Sequence, residues 1–235
     1  MWLRKRLLVA LLLAPLPVCA QPTAEGNLSL GGKLVPLPTG AWRILYQAAE
    51  PGRSTEGSLS TTTHRALLVQ ERAGRAAAVI VAHAAAEMGA AWNPHGICVN
   101  TNSSVIVRRV EAAIRGNLDC RGLVLIESGR GQSTPQYLNA LYDEGERRQG
   151  WLPRRWISVQ VVQSERMHWM SVEYRFAPSI FGAAAENAAN WSDGMRSAEQ
   201  QAIIQRLDAW SKLAHDGLRR GLYGRTPSTT LPPPG

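Results

Sequence analysis

Between Trp156 and Phe176 the chain alternates apolar and polar residues with a period of two. Ile157, Val159 and Val161 interleave with Ser158 and Gln160; Val172, Tyr174 and Phe176 interleave with Ser171, Glu173 and Arg175. Successive strand side chains point to opposite faces, so this pattern predicts two strands, each with one apolar face. A turn near Glu165 and Arg166 makes them an antiparallel hairpin with one wet face. The apolar face needs a cover, and the rest of the chain must supply it.

The strongest cover is a C-terminal helix. Ser197 and Gln200 form a capping box, and Ile203, Leu207, Trp210, Ala214 and Leu218 then recur at helical spacing up to Gly221. Its polar face mixes Gln200, Gln201, Asp208, Lys212 and Asp216, unlike the cationic face that a lipid surface rewards. The helix is therefore expected to pack on the sheet. A middle helix is predicted from Thr134 as cap, Pro135 at the first position and a face of Tyr137, Leu138, Leu141 and Tyr142, closed by Gly150.

Further strands are expected at Trp42–Ala48, at Arg65–Arg72 and Ala76–His83 around a turn at Ala73-Gly74-Arg75, and at Arg121–Glu127. Ser104–Val110 reads as a strand or the start of a helix, and the alanine run Ala84–Ala91 fits helix as well. Glu50–Thr63 reads as a polar loop. The predicted class is α+β: an antiparallel β-sheet packed by a middle helix and a C-terminal amphipathic helix, with one disulfide. A single domain spans 39–225, after a flexible lead-in at 21–38 and before a disordered tail at 226–235.

Residues 1–20 have the three-part layout of a signal peptide: Arg4-Lys5-Arg6, the apolar run Leu7–Leu13, and small residues ending at Ala20. The run is too short to span a bilayer, and no later segment offers a stable membrane span. An uncleaved anchor and a lipoprotein acylated at Cys19 are the alternatives. Removal of residues 1–20 leaves two cysteines, Cys98 and Cys120. In an oxidising compartment such a pair is most simply a disulfide, contributing about 3 kcal/mol on a chain-entropy estimate. Two buried thiols or a metal pair are the alternatives, although the spacing is poor for metal.

Of the formal charge of +8, three charges lie in residues 1–20, and only three of the 26 basic residues are lysines. The arginines are scattered and no nucleic-acid motif is present, so nucleic acid is not expected as a partner. The five histidines, His64, His83, His95, His168 and His215, show no two-histidine zinc spacing. Gly-x-Ser-x-Gly is absent, and Gly129-x-Gly131 is too short for a dinucleotide loop. No catalytic, cofactor-binding or metal residue is predicted. The stretch Trp92-Asn93-Pro94-His95-Gly96-Ile97-Cys98-Val99-Asn100 offers Trp92 and His95 as ligand contacts; packing of Trp92 on the disulfide is the competing reading.

The segment Val35-Pro36-Leu37-Pro38-x-Gly40-x-Trp42, the stretch Cys98-Val99-Asn100 and the Trp-bearing C-terminal helix together resemble a group of uncharacterised exported proteins of Gram-negative bacteria. That resemblance implies export and carries no functional residue with it. The expectation is a periplasmic or secreted accessory domain, non-enzymatic, whose partner is an envelope protein or a glycan. An envelope hydrolase without a recognisable motif is the alternative.

Overall fold

The computed structural model describes residues 21–51, 62–86, 92–132, 134–182, 185, 191, 196–227 and 230–234. The strands are β1 (Thr23–Ala24), β2 (Asn27–Leu30), β3 (Lys33–Pro36), β4 (Trp42–Pro51), β5 (Thr62–Arg72), β6 (Arg75–Ala86), β7 (Val105–Ile114), β8 (Asn117–Glu127), β9 (Arg155–Glu165) and β10 (His168–Phe176). Helix α1 (Asn139–Arg147) lies between β8 and β9, and α2 (Ala198–Gly221) follows β10. Eight strands form one antiparallel sheet in the order β1-β4-β5-β6-β10-β9-β8-β7, while β2 and β3 make a separate ribbon. The α+β class, the sheet, the two helices and the disulfide agree with the reading of the sequence.

Turn chemistry explains the meanders. Ala73 and Gly74 both have positive φ, the conformation that joins β5 to β6 with the twist of the sheet. Arg166, also at positive φ, turns β9 into β10, which pair from His168↔Glu165 to Phe176↔Ile157. Of the segment 104–110, residues 105–110 resolve as strand, within β7, and β6 carries the alanine run as strand through Ala86. The rest of that run, the core of the 50–63 loop and residues 1–20, read from the sequence as a signal peptide, lie outside the described residues.

One face of the sheet carries Trp42, Leu68, Ile80, Ile157, Val159, Val161, Val172, Tyr174 and Phe176. Helix α2 covers it with Ile203, Leu207, Trp210, Ala214 and Leu218, and its Ser197–Gln200 capping box is formed. Residues 21–38 are not a flexible lead-in. They form β1, β2 and β3, and Leu28, Leu30, Val35 and Leu37 are buried in the α2-face core. Lys33 is buried too, its Nζ 3.0 Å from His168 Nδ1 and donating to Leu222 O at 3.2 Å. The 226–235 tail is likewise anchored where described, with Leu231 1% exposed and bridged to Pro38.

Thr134 does not cap α1. Its Oγ1 accepts from Gly131 N at 2.7 Å, and Pro135 leads into a 3₁₀ turn, Gln136–Leu138, from which α1 continues. Gly150, at positive φ, then returns the chain to Trp151, whose carbonyl accepts from Ala76 N. Cys98 and Cys120 are joined, with their Cα atoms 5.3 Å apart. Among the described residues no helix is long and apolar enough to cross a membrane.

Candidate functional site

The second face of the sheet is where the sequence predicts a wet surface, and the fold encloses it instead. Cross-strand register sets its layout. Arg65, His83, Ser171, Val162 and Cys120 lie in one row across β5, β6, β10, β9 and β8. Leu67, Val81, Glu173, Gln160 and Gly122 form the next row, and Ala85, Trp169, Ser164 and Leu118 the row on the other side. The polar half of the β9–β10 alternation thus becomes a floor covered by a cluster of aromatic rings.

Two walls stand on that floor. One is the α1 side, where Leu138, Leu141 and Tyr142 pack on Leu67, Val69, Val79 and Val81. Tyr137 projects from its 3₁₀ turn and meets His83 edge-on, with ring centroids 4.9 Å apart. Burial raises the Tyr137 phenol above its ordinary range. The other wall is the segment 92–100. A 3₁₀ turn, Gly96–Cys98, buries Ile97 and the disulfide against β8 and β9. Gly122 makes room for it: a Cβ there would stand 2.3 Å from Val107 O and 2.8 Å from Ile97. Arg108 fastens the turn from β7, its Nε donating to Ile97 O at 3.0 Å and its Nη2 to Cys98 O.

Both ligand-contact candidates read from the sequence lie in this wall, and both contact Trp169 on the sheet. Trp92 stacks on Trp169 at 5.1 Å with an interplanar angle of 21°, and His95 sits 5.3 Å from the same indole. Trp92 is partly buried against the cluster that holds the disulfide, so packing and presentation are combined in one residue. His83 closes the ring of aromatics, 6.3 Å from Trp169.

Charge is fixed around these rings. Arg65 pairs with Glu50, which also accepts from Tyr46, and its guanidinium lies 5.2 Å from the Tyr137 ring centre. Arg175 donates to one oxygen of Glu173 from Nε at 2.9 Å and Nη2 at 2.6 Å. His95 Nδ1 donates to Asn93 O at 2.9 Å, which leaves Nε2 as the other ring nitrogen. The Nε2 atoms of His95 and His83 and the Nε1 of Trp169 are all buried and, among the described residues, have no hydrogen-bond partner.

Burial, reinforced by the Arg65 cation and by His95, pushes the His83 pKa down to about 4 from 6.5, against the opposing pull of Glu173 and Glu50. An unfolded chain therefore takes up this proton first as pH falls. Stability is whole above about pH 6.5 and drops toward pH 4, by up to about 3 kcal/mol from this group. Denaturation midpoints at pH 7.5 and pH 5 check this: the acid-side loss should be smaller in His83→Gln, and an equal loss would place the effect elsewhere.

The reading of the sequence missed Trp169, His83, Tyr137, Arg65 and Glu173. The available signal was Trp169, a large aromatic in the polar phase of β10, where a solvated face has no use for one. Among the described residues no group of three or more His, Cys, Asp or Glu side chains could hold a metal ion. The arrangement can stack a flat or ring-shaped ligand and hydrogen-bond it through fixed side chains. No protein-family model matches the chain, and no curated protein or solved structure matches it.

Proposed function

We propose that the chain is an exported, non-enzymatic binding domain that takes a glycan at the aromatic cluster of Trp92, His95, Trp169, His83 and Tyr137. The observation that carries this reading is the Trp92–Trp169 stack, a rigid aromatic platform bordered by buried, unpartnered ring nitrogens and held charges. A pyranose offers an apolar C–H face to stack and hydroxyls to bond, and an aromatic surface with a few fixed polar groups is complementary to both. A serine hydrolase needs a serine in reach of an imidazole. Ser171 stands across the strand pair from His83, yet among the described residues His83 Nε2 bonds to no hydroxyl, so this pair gives serine hydrolysis no support. Export is supported by the signal layout of residues 1–20 and by the disulfide, a bond suited to an oxidising compartment.

Titration with chitotetraose, followed by tryptophan fluorescence, tests the reading. Saturable quenching is expected, with Trp92→Ala weakening binding about tenfold, a loss near 1.4 kcal/mol and within the range of an aromatic contact. Absence of saturation, or equal affinity in Trp92→Ala, would remove the aromatic cluster as a glycan site.

A further inference from the structure

On the opposite, α2 face, three aromatic side chains give their polar hydrogens to prolines. Tyr174 Oη donates to Pro36 O at 2.9 Å, Trp42 Nε1 to Pro38 O at 2.9 Å and Trp210 Nε1 to Pro232 O at 2.8 Å. Proline has no N–H and a fixed φ, so proline-rich segments stay extended and leave carbonyls for side-chain donors. Aromatic-lined grooves that recognise such segments exploit this preformed, low-entropy shape.

Two of these segments lie side by side. Val35–Pro38 is built into the core, and Leu231–Pro234 comes from the C-terminal tail. A parallel bridge joins Pro38 to Leu231, and Thr39 N donates to Leu231 O at 3.1 Å. Leu231 anchors the tail in the core, and Pro234 is buried. Trp210 is held for its bond to Pro232 by edge contacts with Tyr174 at 5.2 Å and Phe176 at 5.3 Å. The tail leaves space beside it: a cavity of about 680 Å3 is bounded by Trp42, Gln70, Phe176 and Ile180 on the domain and by Pro233 and Pro234 on the tail.

We propose that this groove is a docking site for a proline-rich segment of a partner polypeptide, held in this chain by its own Leu231–Pro234. The tail displays the recognised chemistry: a leucine anchored in the core, the next carbonyl on Trp210, and prolines facing the open space beside Trp42. The site is independent of the proposed glycan site, which lies on the other face of the sheet. A tethered tail acts at an effective concentration in the millimolar range, so it outcompetes a micromolar partner until it is weakened.

The test uses the full chain and a fluorescein-labelled peptide of residues 226–235, TPSTTLPPPG, followed by anisotropy. A variant with Pro232→Ser, Pro233→Ser and Pro234→Ser keeps Leu231 and the chain length. It is expected to bind the peptide at least about tenfold more tightly than the unaltered protein. Adding Trp210→Phe, which keeps the ring and removes the donor, should erase most of that gain, and a peptide with serines for its three prolines should not bind. Deletion of 232–235 makes the same prediction and serves if the triple variant is unfolded. Equal binding by altered and unaltered protein, or equal binding of the serine peptide, would overturn the proposal.

Discussion

Leu207→Ala is expected to lower folding stability by about 2–5 kcal/mol. Leu207 is fully buried in the cluster that joins α2 to Ile157, Val159, Val161, Val172 and Tyr174. Truncation loses the transfer free energy of three carbons and leaves a void that strands on one side and a helix on the other cannot collapse into without moving neighbours. Urea denaturation with an unchanged slope is the check. A loss under about 1 kcal/mol would mean that α2 is not the principal cover of the sheet.

Gly221→Ala should cost about 3 kcal/mol or more, although helix propensity alone favours alanine by roughly 1 kcal/mol. Gly221 is the last residue of α2, and a Cβ built on it would lie 1.8 Å from Leu34 O, a backbone atom of β3. One turn earlier, a Cβ on Gly217 would be 3.1 Å from Pro36 Cγ. The two glycines form a bare strip on which the β2–β3 ribbon lies. The sign decides between the two effects: a raised midpoint of thermal unfolding for Gly221→Ala would show that helix and ribbon separate at no cost.

Local patterns were legible wherever the cause is local. Strand alternation in 156–176, the Ser197 capping box and the helical stripe of α2 each depend on residues within a turn or two, and all are formed. The cysteine pair was legible because two cysteines left after residues 1–20, with spacing poor for metal, are most simply a disulfide. What escaped depends on distant partners. Residues 21–38 look breaker-rich, yet Leu28, Leu30, Val35 and Leu37 find burial against α2, far along the chain. Gly221 read as a terminator because nothing nearby reveals β3. The aromatic cluster was missed for the same reason: Arg65, His83, Tyr137 and Trp169 come together only through the pairing of β6 with β10 and the placement of α1 beside it.

That pairing also divides the assembly of the molecule in time. Strands β4–β6 form one meander, and β7–β8 and β9–β10 are hairpins, so their registers close short loops. The β6–β10 seam joins residues more than eighty positions apart, from His168↔Ala86 to Phe176↔Ala78. Loop closure of that span is entropically opposed until neighbouring contacts reward it, so the seam zips after its two halves have registers of their own. His83 and Ser171 face each other across this seam. The side of the candidate site that holds His83 and Arg65 therefore comes into being in the final closing step, while the Trp92–Trp169 stack packs with β8–β10 and does not wait for it.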